Sequence, residues 1–185
     1  TTRAIGVNCD ENKLTQPKVL NSLTPLPESQ LVVLKLTKNL GFLEFQLQQI
    51  AKQSAPVQIV AAGKTTLVTK NVLKLFEKYL TDVTTSLAKK KSRLIFAQHT
   101  HQQQISDKYP IAIEWPEKQL TLFAHANVFS KEQIDIGGRF LAEHLPELQD
   151  NQVVVDLGCG NGLLGLFALS HAKKQDANIR VAFFD

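Results

Sequence analysis

The run Val153-Val154-Val155-Asp156-Leu157-Gly158-Cys159-Gly160-Asn161-Gly162-Leu163-Leu164-Gly165 limits this chain more than any other stretch. Three β-branched residues open it, as suits a buried strand. The apolar run over residues 163–169 reads as a helix packed on a sheet. Between them, glycines stand at every second position: 158, 160 and 162. Glycine adopts backbone angles that other residues avoid, and it lets a ligand approach the main chain. A strand, a glycine turn and a helix start make a nucleotide-type site, with unpaired N–H groups at the helix N-terminus. A turn that bound nothing would gain little from three residues that each weaken regular structure by about 0.5–1 kcal/mol.

The turn supports two readings. Gly160-Asn161-Gly162-Leu163-Leu164-Gly165 matches the G-x-G-x-x-G fingerprint of dinucleotide sites, which points to a nicotinamide oxidoreductase. Asp156, however, sits at the strand end just before the first glycine, where its charge would repel a pyrophosphate drawn to the helix terminus. A carboxylate there favours a ligand with positive charge and no phosphate. S-adenosylmethionine, with its ammonium and sulfonium, fits, and the order D-x-G-x-G-x-G resembles the first cofactor motif of Rossmann-like methyltransferases. Asp185 closes a strand-like segment some twenty residues past the turn, where an acid holds a ribose hydroxyl pair. The predicted cofactor residues are therefore Asp156, Gly158, Gly160 and Gly162 around the methionine end and Asp185 on the ribose.

The other bulk features narrow the class. The 185 residues are enough for one full domain or parts of two. No apolar run approaches the roughly 20 residues that span a bilayer, and no secretory signal pattern opens the chain, so no membrane partner is expected. Cys9 and Cys159 fit no metal spacing and read as reduced thiols in a cytoplasm. A formal charge of +4 leans mildly toward nucleic acid. The chain has no methionine and begins at Thr1, which implies processing or a fragment, and both ends read as cut.

In chain order, a short strand is expected at residues 4–7, then a loop. Residues 30–36 read as a strand buried on both faces, residues 40–53 as a helix, and residues 57–62 as another buried strand. A helix over 69–80 and a strand over 93–98 follow. This alternation predicts α/β architecture with a parallel sheet and right-handed crossovers. No glycine-rich turn follows these strands; Gly63-Lys64-Thr65 lacks the earlier glycines of a phosphate loop. His99-Thr100-His101 reads as a solvated strand end, because alternating residues face opposite sides and no third metal ligand is near. Strands at 111–115 and 120–124 flank Pro116-Glu117-Lys118-Gln119 and predict a hairpin, with Trp115 in the core. The composition shifts near residues 105–118, which places a domain boundary there and gives domains 1–115 and 116–185.

Ser130 with Gln133 fits a capping box, predicting a helix from there with Ile134, Phe140, Leu141 and Leu145 inward. Gly137-Gly138 inside it costs roughly 1–2 kcal/mol and implies close approach of a strand or a ligand. The last helix should reach about Lys173, and residues 179–184 form the next strand. Lys89-Lys90-Lys91 with Arg93 is the densest basic cluster. It suits an RNA phosphate backbone or, alternatively, a solvated helix end.

Taken together, Asn127-Val128-Phe129-Ser130, Asp135-Ile136-Gly137, His144-Leu145-Pro146 and Val155-Asp156-Leu157-Gly158-Cys159-Gly160-Asn161-Gly162 resemble the RlmG/RsmC family of ribosomal RNA guanine methyltransferases. Upstream segments, including Leu75-Phe76-Glu77-Lys78 and Lys90-Lys91-Ser92-Arg93-Leu94, are more similar to the large-subunit branch than to the small-subunit one. The resemblance implies tandem Rossmann-like methyltransferase domains. The first is degenerate, non-catalytic and RNA-binding; the second binds S-adenosyl-L-methionine and methylates the exocyclic amine (N2) of a guanine in large-subunit (23S) ribosomal RNA. This chain would hold the later part of the first domain and the start of the second. The family's catalytic Asn-Pro-Pro-aromatic motif lies further along, so no catalytic residue is expected here, and the piece alone would act as a non-catalytic RNA-binding module. Phe129, Ser130, Asp135 and Gly137 would help close the cofactor pocket, Lys89, Lys90, Lys91 and Arg93 would meet the RNA, and no metal is implied.

Overall fold

A computed structural model describes residues 2–128 and 133–184. The chain runs α1 (Thr2–Glu11), β1 (Leu31–Lys35), α2 (Leu40–Ala51), β2 (Val57–Lys64), α3 (Lys70–Tyr79), β3 (Thr81–Thr85), β4 (Ser92–His99), β5 (Ile111–Trp115), β6 (Leu120–Ala124), α4 (Ile136–Glu143), β7 (Val153–Leu157), α5 (Leu163–Lys174) and β8 (Arg180–Phe184). No helix among the described residues is long and apolar enough to cross a membrane.

The first lobe is a four-stranded sheet in the order β1-β2-β4-β3. Polar side chains start its helices. Asn39 accepts from the Phe42 N–H to begin α2, and Thr69 accepts from the Val72 N–H to begin α3. Leu43, Leu47 and Ile50 of α2 and Val72, Phe76 and Tyr79 of α3 pack on Leu34, Ile59, Ala61 and Ile95 of the sheet. Only β1 and β2 are parallel; β4 runs antiparallel to both β2 and β3. The fully parallel expectation fails because β3 and β4 are joined by a tight turn, and a parallel pair needs a crossover of a dozen or more residues.

Burial is one-sided. Leu34 of β1 is buried while Val33 is 78% exposed, so the two-faced burial expected from its apolar run is not found. The segment expected as a strand at residues 4–7 lies inside α1, where no neighbouring strand pairs with it. A short apolar run alone does not separate strand from helix.

His99 corrects another expectation. It is 2% exposed, and its Nε2 donates to the Gln53 carbonyl at 2.8 Å, so it is a core histidine rather than a solvated strand end. Gln53 in turn accepts through Oε1 from the Ser29 N–H and hydroxyl.

Glu44 on α2 accepts from Lys78 and from the Tyr79 hydroxyl, both at 2.8 Å. The Lys78 hydrogen bond, helped by Tyr79, holds the Glu44 carboxyl below its ordinary pKa of 4.5. A depressed carboxyl pKa contributes stability that is full above the unfolded value and lost as pH falls through the folded one. Denaturant unfolding of Glu44→Gln should therefore show a loss of about 1 kcal/mol at pH 7 that shrinks below pH 4.5. An equal loss at every pH would show that the charge on Glu44 is idle.

The second lobe holds the β5–β6 hairpin, α4, α5 and the parallel pair β7–β8. Trp115, Ile113 and Leu122 of the hairpin share a core with Leu163 and Phe167 of α5. The division expected at 115/116 falls inside this hairpin, so β5 packs with the second lobe. Trp115 is 1% exposed and stacks on Phe167 with centroids 5.6 Å apart. The lobes meet where Phe45 of α2 packs edge-on against Tyr109 and His125.

Candidate functional site

The glycine turn joins the end of β7 to α5. Gly158, Gly160 and Gly162 have φ of 72°, 51° and 79°, the left-handed region that other residues seldom adopt. Their surroundings differ. A Cβ added at Gly158 or Gly160 would meet nothing within 4 Å, so the space beside both is open. One added at Gly162 would lie 3.3 Å from the Phe183 ring, and one at Gly165 only 2.3 Å from it. The first two glycines leave room for a ligand; the last two let α5 lie against β8.

The turn is fixed from both sides. Gly158 and Cys159 donate backbone N–H groups to the Phe184 carbonyl at 2.7 and 3.2 Å, and Gly162 donates to the Cys159 carbonyl at 2.7 Å. Asn161 Oδ1 accepts from the Leu163 N–H at 3.3 Å. The N–H groups of Gly160 and Asn161 have no acceptor among the described residues.

Asp156 is 6% exposed, and its Oδ2 accepts from the Gly165 N–H, nine residues on, at 2.9 Å. A carboxylate at a helix N-terminus satisfies an orphan donor and interacts favourably with the dipole. The protein's own anion thus stands where a dinucleotide site would seat its pyrophosphate.

Asp135 and Gly137 flank the start of α4, whose Gly138 lies against Leu163 of α5, and this geometry corrects the reading of Gly138. The helix begins with Asp135 as its N-cap, accepting from the Gly138 N–H at 2.7 Å, and Gln133, expected in its first turn, precedes it. Gly137 and Gly138 occupy its first turn. A Cβ on Gly138 would come within 2.7 Å of Leu163 Cδ2, so the close approach there is the start of α5, not a ligand. Phe140 and Leu141, expected inward, are 63% and 49% exposed, and Ala142 is the buried residue of this helix. Phe129, Ser130 and Asp185 lie outside the described residues.

The basic cluster is a hairpin tip, not a helix end. Lys89 and Ser92 exchange backbone hydrogen bonds at 2.9 Å, and Lys90 and Lys91 between them have φ of 49° and 60°. Two central residues at positive φ are what a two-residue hairpin turn requires, and glycine or asparagine usually fills them. Arg93 is half-buried, and its Nε is buried with no partner among the described residues. Sequence reasoning did not attach Lys35, Lys38 and Lys64 to this region, because only the β1–β2–β4 pairing brings them there. No group of three or more metal-ligating side chains occurs among the described residues.

A degenerate α/β lobe without a glycine turn, followed by a lobe that carries one with an acidic strand end, defines a Rossmann-like fold of the methyltransferase type. The chain belongs to the family described as "RLMG N-terminal domain", whose model matches residues 1–101, and residues 119–183 match "Methyltransferase small domain". It is 39% identical to "Ribosomal RNA large subunit methyltransferase G" of Pseudoalteromonas translucida, over 99% of this chain and 48% of that protein. The protein of that name from Erwinia tasmaniensis is 43% identical, over 91% of this chain and 44% of its own length. The chain thus spans about half the length of the curated relatives it matches. Among solved structures it is similar to the T. thermophilus 16S rRNA N2 G1207 methyltransferase (RsmC) in complex with AdoMet and guanosine. The TM-score is 0.59 at 15% identity, over 83% of this chain and 49% of that one. At that identity the likeness concerns the fold.

Proposed function

We propose that this chain is part of an S-adenosyl-L-methionine-dependent methyltransferase acting on the exocyclic amine (N2) of a guanine in large-subunit ribosomal RNA. It would supply an RNA-binding, non-catalytic first domain and the opening of the cofactor domain, with the division ahead of β5, within the boundary segment expected at residues 105–118. The observation that carries the reading is the Asp156–Gly165 bond at a glycine turn with open space beside Gly158 and Gly160. A helix N-terminus already occupied by a carboxylate suits a ligand without phosphate. The large-subunit choice follows the names of relatives near 40% identity.

The cofactor would supply an electrophilic methyl group on a sulfonium. The residues present fit it. Gly158 and Gly160 leave the main chain bare, the free N–H groups of Gly160 and Asn161 offer donors, and Asp156 sets the pitch of α5 against β7. Asp185 would take the ribose hydroxyls, while Phe129, Ser130, Asp135 and Gly137 would close the pocket. Lys89, Lys90, Lys91 and Arg93 would hold ribosomal RNA while the target base leaves its stack. Reduced Cys9 and Cys159 agree with a cytoplasmic setting.

Calorimetric titration of the chain with S-adenosylhomocysteine should give saturable heat, and NAD should give none. Binding of NAD in preference would overturn the reading. Because the chain spans half of its relatives, it is expected to methylate no RNA alone.

A further inference from the structure

Parallel strands β1 and β2 end side by side at Lys35 and Lys64, and β4 starts beside them at Ser92. Open α/β sheets bind ligands outside the carboxyl ends of their strands. At this end lies a cleft of about 680 Å³, lined by Lys35, Lys38, Lys64, Thr66 and Ser92 together with apolar residues. No carboxylate lines it. The backbone N–H of Thr65 donates to the Lys91 carbonyl at 2.9 Å, which fastens the lysine hairpin to the rim. Lys35, Lys38, Lys64, Lys89, Lys90 and Lys91 are all exposed, and among the described residues none of the six forms an ion pair.

Resting on the RNA-directed reading above, we propose that this strand-end cleft is a seat for RNA backbone phosphates, with Lys35, Lys38 and Lys64 on its walls and the turn at residues 89–91 on its rim. The charge of the cleft favours phosphate over an uncharged or cationic ligand. Six exposed ammonium groups that form no ion pair among the described residues stand at one sheet end, while Lys52 and Lys78, which do form ion pairs, lie elsewhere. Two of the six sit in left-handed backbone, which costs roughly 1–2 kcal/mol per residue and persists where the surrounding structure imposes it. Ammonium groups on flexible stems bind phosphate as point charges without reading sequence.

The test is fluorescence anisotropy of this chain with an end-labelled RNA hairpin between 50 and 300 mM KCl. The variants are Lys35→Ala/Lys38→Ala/Lys64→Ala and a charge-matched control, Lys18→Ala/Lys173→Ala/Lys174→Ala. Each phosphate contact contributes about 0.7–0.9 to the slope of log affinity against log salt. The cleft variant should lose about 2–3 units of slope and at least tenfold in affinity, and the control should change less than threefold. Equal losses in both variants, or no RNA binding by the parent chain, would overturn the proposal. S-adenosylhomocysteine titration of the same samples separates the two readings. If RNA binding depends on the cleft in a chain that binds no S-adenosylhomocysteine, the cleft stands and the cofactor assignment falls. Intact cofactor binding with RNA affinity indifferent to the cleft lysines gives the reverse.

Discussion

Asp156→Ala is expected to lose at least tenfold in affinity for S-adenosylhomocysteine and to destabilise the second lobe by about 1–3 kcal/mol. The residue is 6% exposed and is the acceptor for the Gly165 N–H. Removing it leaves a buried donor unpaired, which costs about 1–3 kcal/mol. It also frees the N-terminus of α5 to shift against β7, which displaces Gly158 and Gly160 from the positions that leave the turn open. Asp156→Asn separates shape from charge, since its side-chain oxygen can still accept from Gly165. If charge is what selects a cationic ligand, the asparagine variant should fold nearly as well as the parent and still bind weakly. Calorimetry with thermal unfolding of the three proteins decides it. Parent-like affinity in Asp156→Ala would remove this residue from the cofactor site.

Trp115→Ala should be strongly destabilising, at about 3–5 kcal/mol. The indole is 1% exposed, stacks on Phe167 at 5.6 Å, and has the Lys118 ammonium 5.9 Å and the Arg139 guanidinium 5.9 Å from its ring centroid. No other residue ties the β5–β6 hairpin to α5 with as large a side chain. Its Nε1–H is buried without an acceptor among the described residues, so the ring contributes by packing and not by hydrogen bonding. Trp115→Phe should accordingly recover most of the loss. Denaturant unfolding followed by circular dichroism reads both. A loss under 1 kcal/mol in the alanine variant would mean that the hairpin and α5 are held by other contacts.

The readable parts of the sequence were those with local signals. The glycine turn, the helices at residues 40–53 and 69–80, the hairpin around Pro116 and the burial of Trp115 all follow from periodicity or turn chemistry within a few residues. The start of α4 was also written locally, as Asp135 ahead of two glycines, but Ser130 with Gln133 offered a competing cap. Three other features have no local signature. The direction of β4 depends on a hairpin turn built from lysines rather than glycine or asparagine, so nothing in residues 86–92 announces it. The buried His99 depends on the backbone of Gln53, and the bond from Asp156 crosses the whole turn to reach Gly165. One-sided burial misled as well: Val33, Val153 and Val155 are 78%, 56% and 62% exposed although each lies in an unbroken apolar run.

The two cores draw on separate blocks of sequence, the first on residues from Val32 to Ile105 and the second on residues from Ile113 to Val181. Synthesis delivers these blocks one after the other, and domains generally fold as units with the N-terminal one first. The first lobe can therefore close before the glycine turn has been translated. Damage to the second lobe would leave a folded body trailing an open chain, joined by the irregular segment at residues 101–110, most of whose residues are exposed. Exposed connecting segments are where proteases cut. In a cell, such a defect would appear as a shortened protein that still carries its lysine hairpin, and not as the loss of the whole polypeptide.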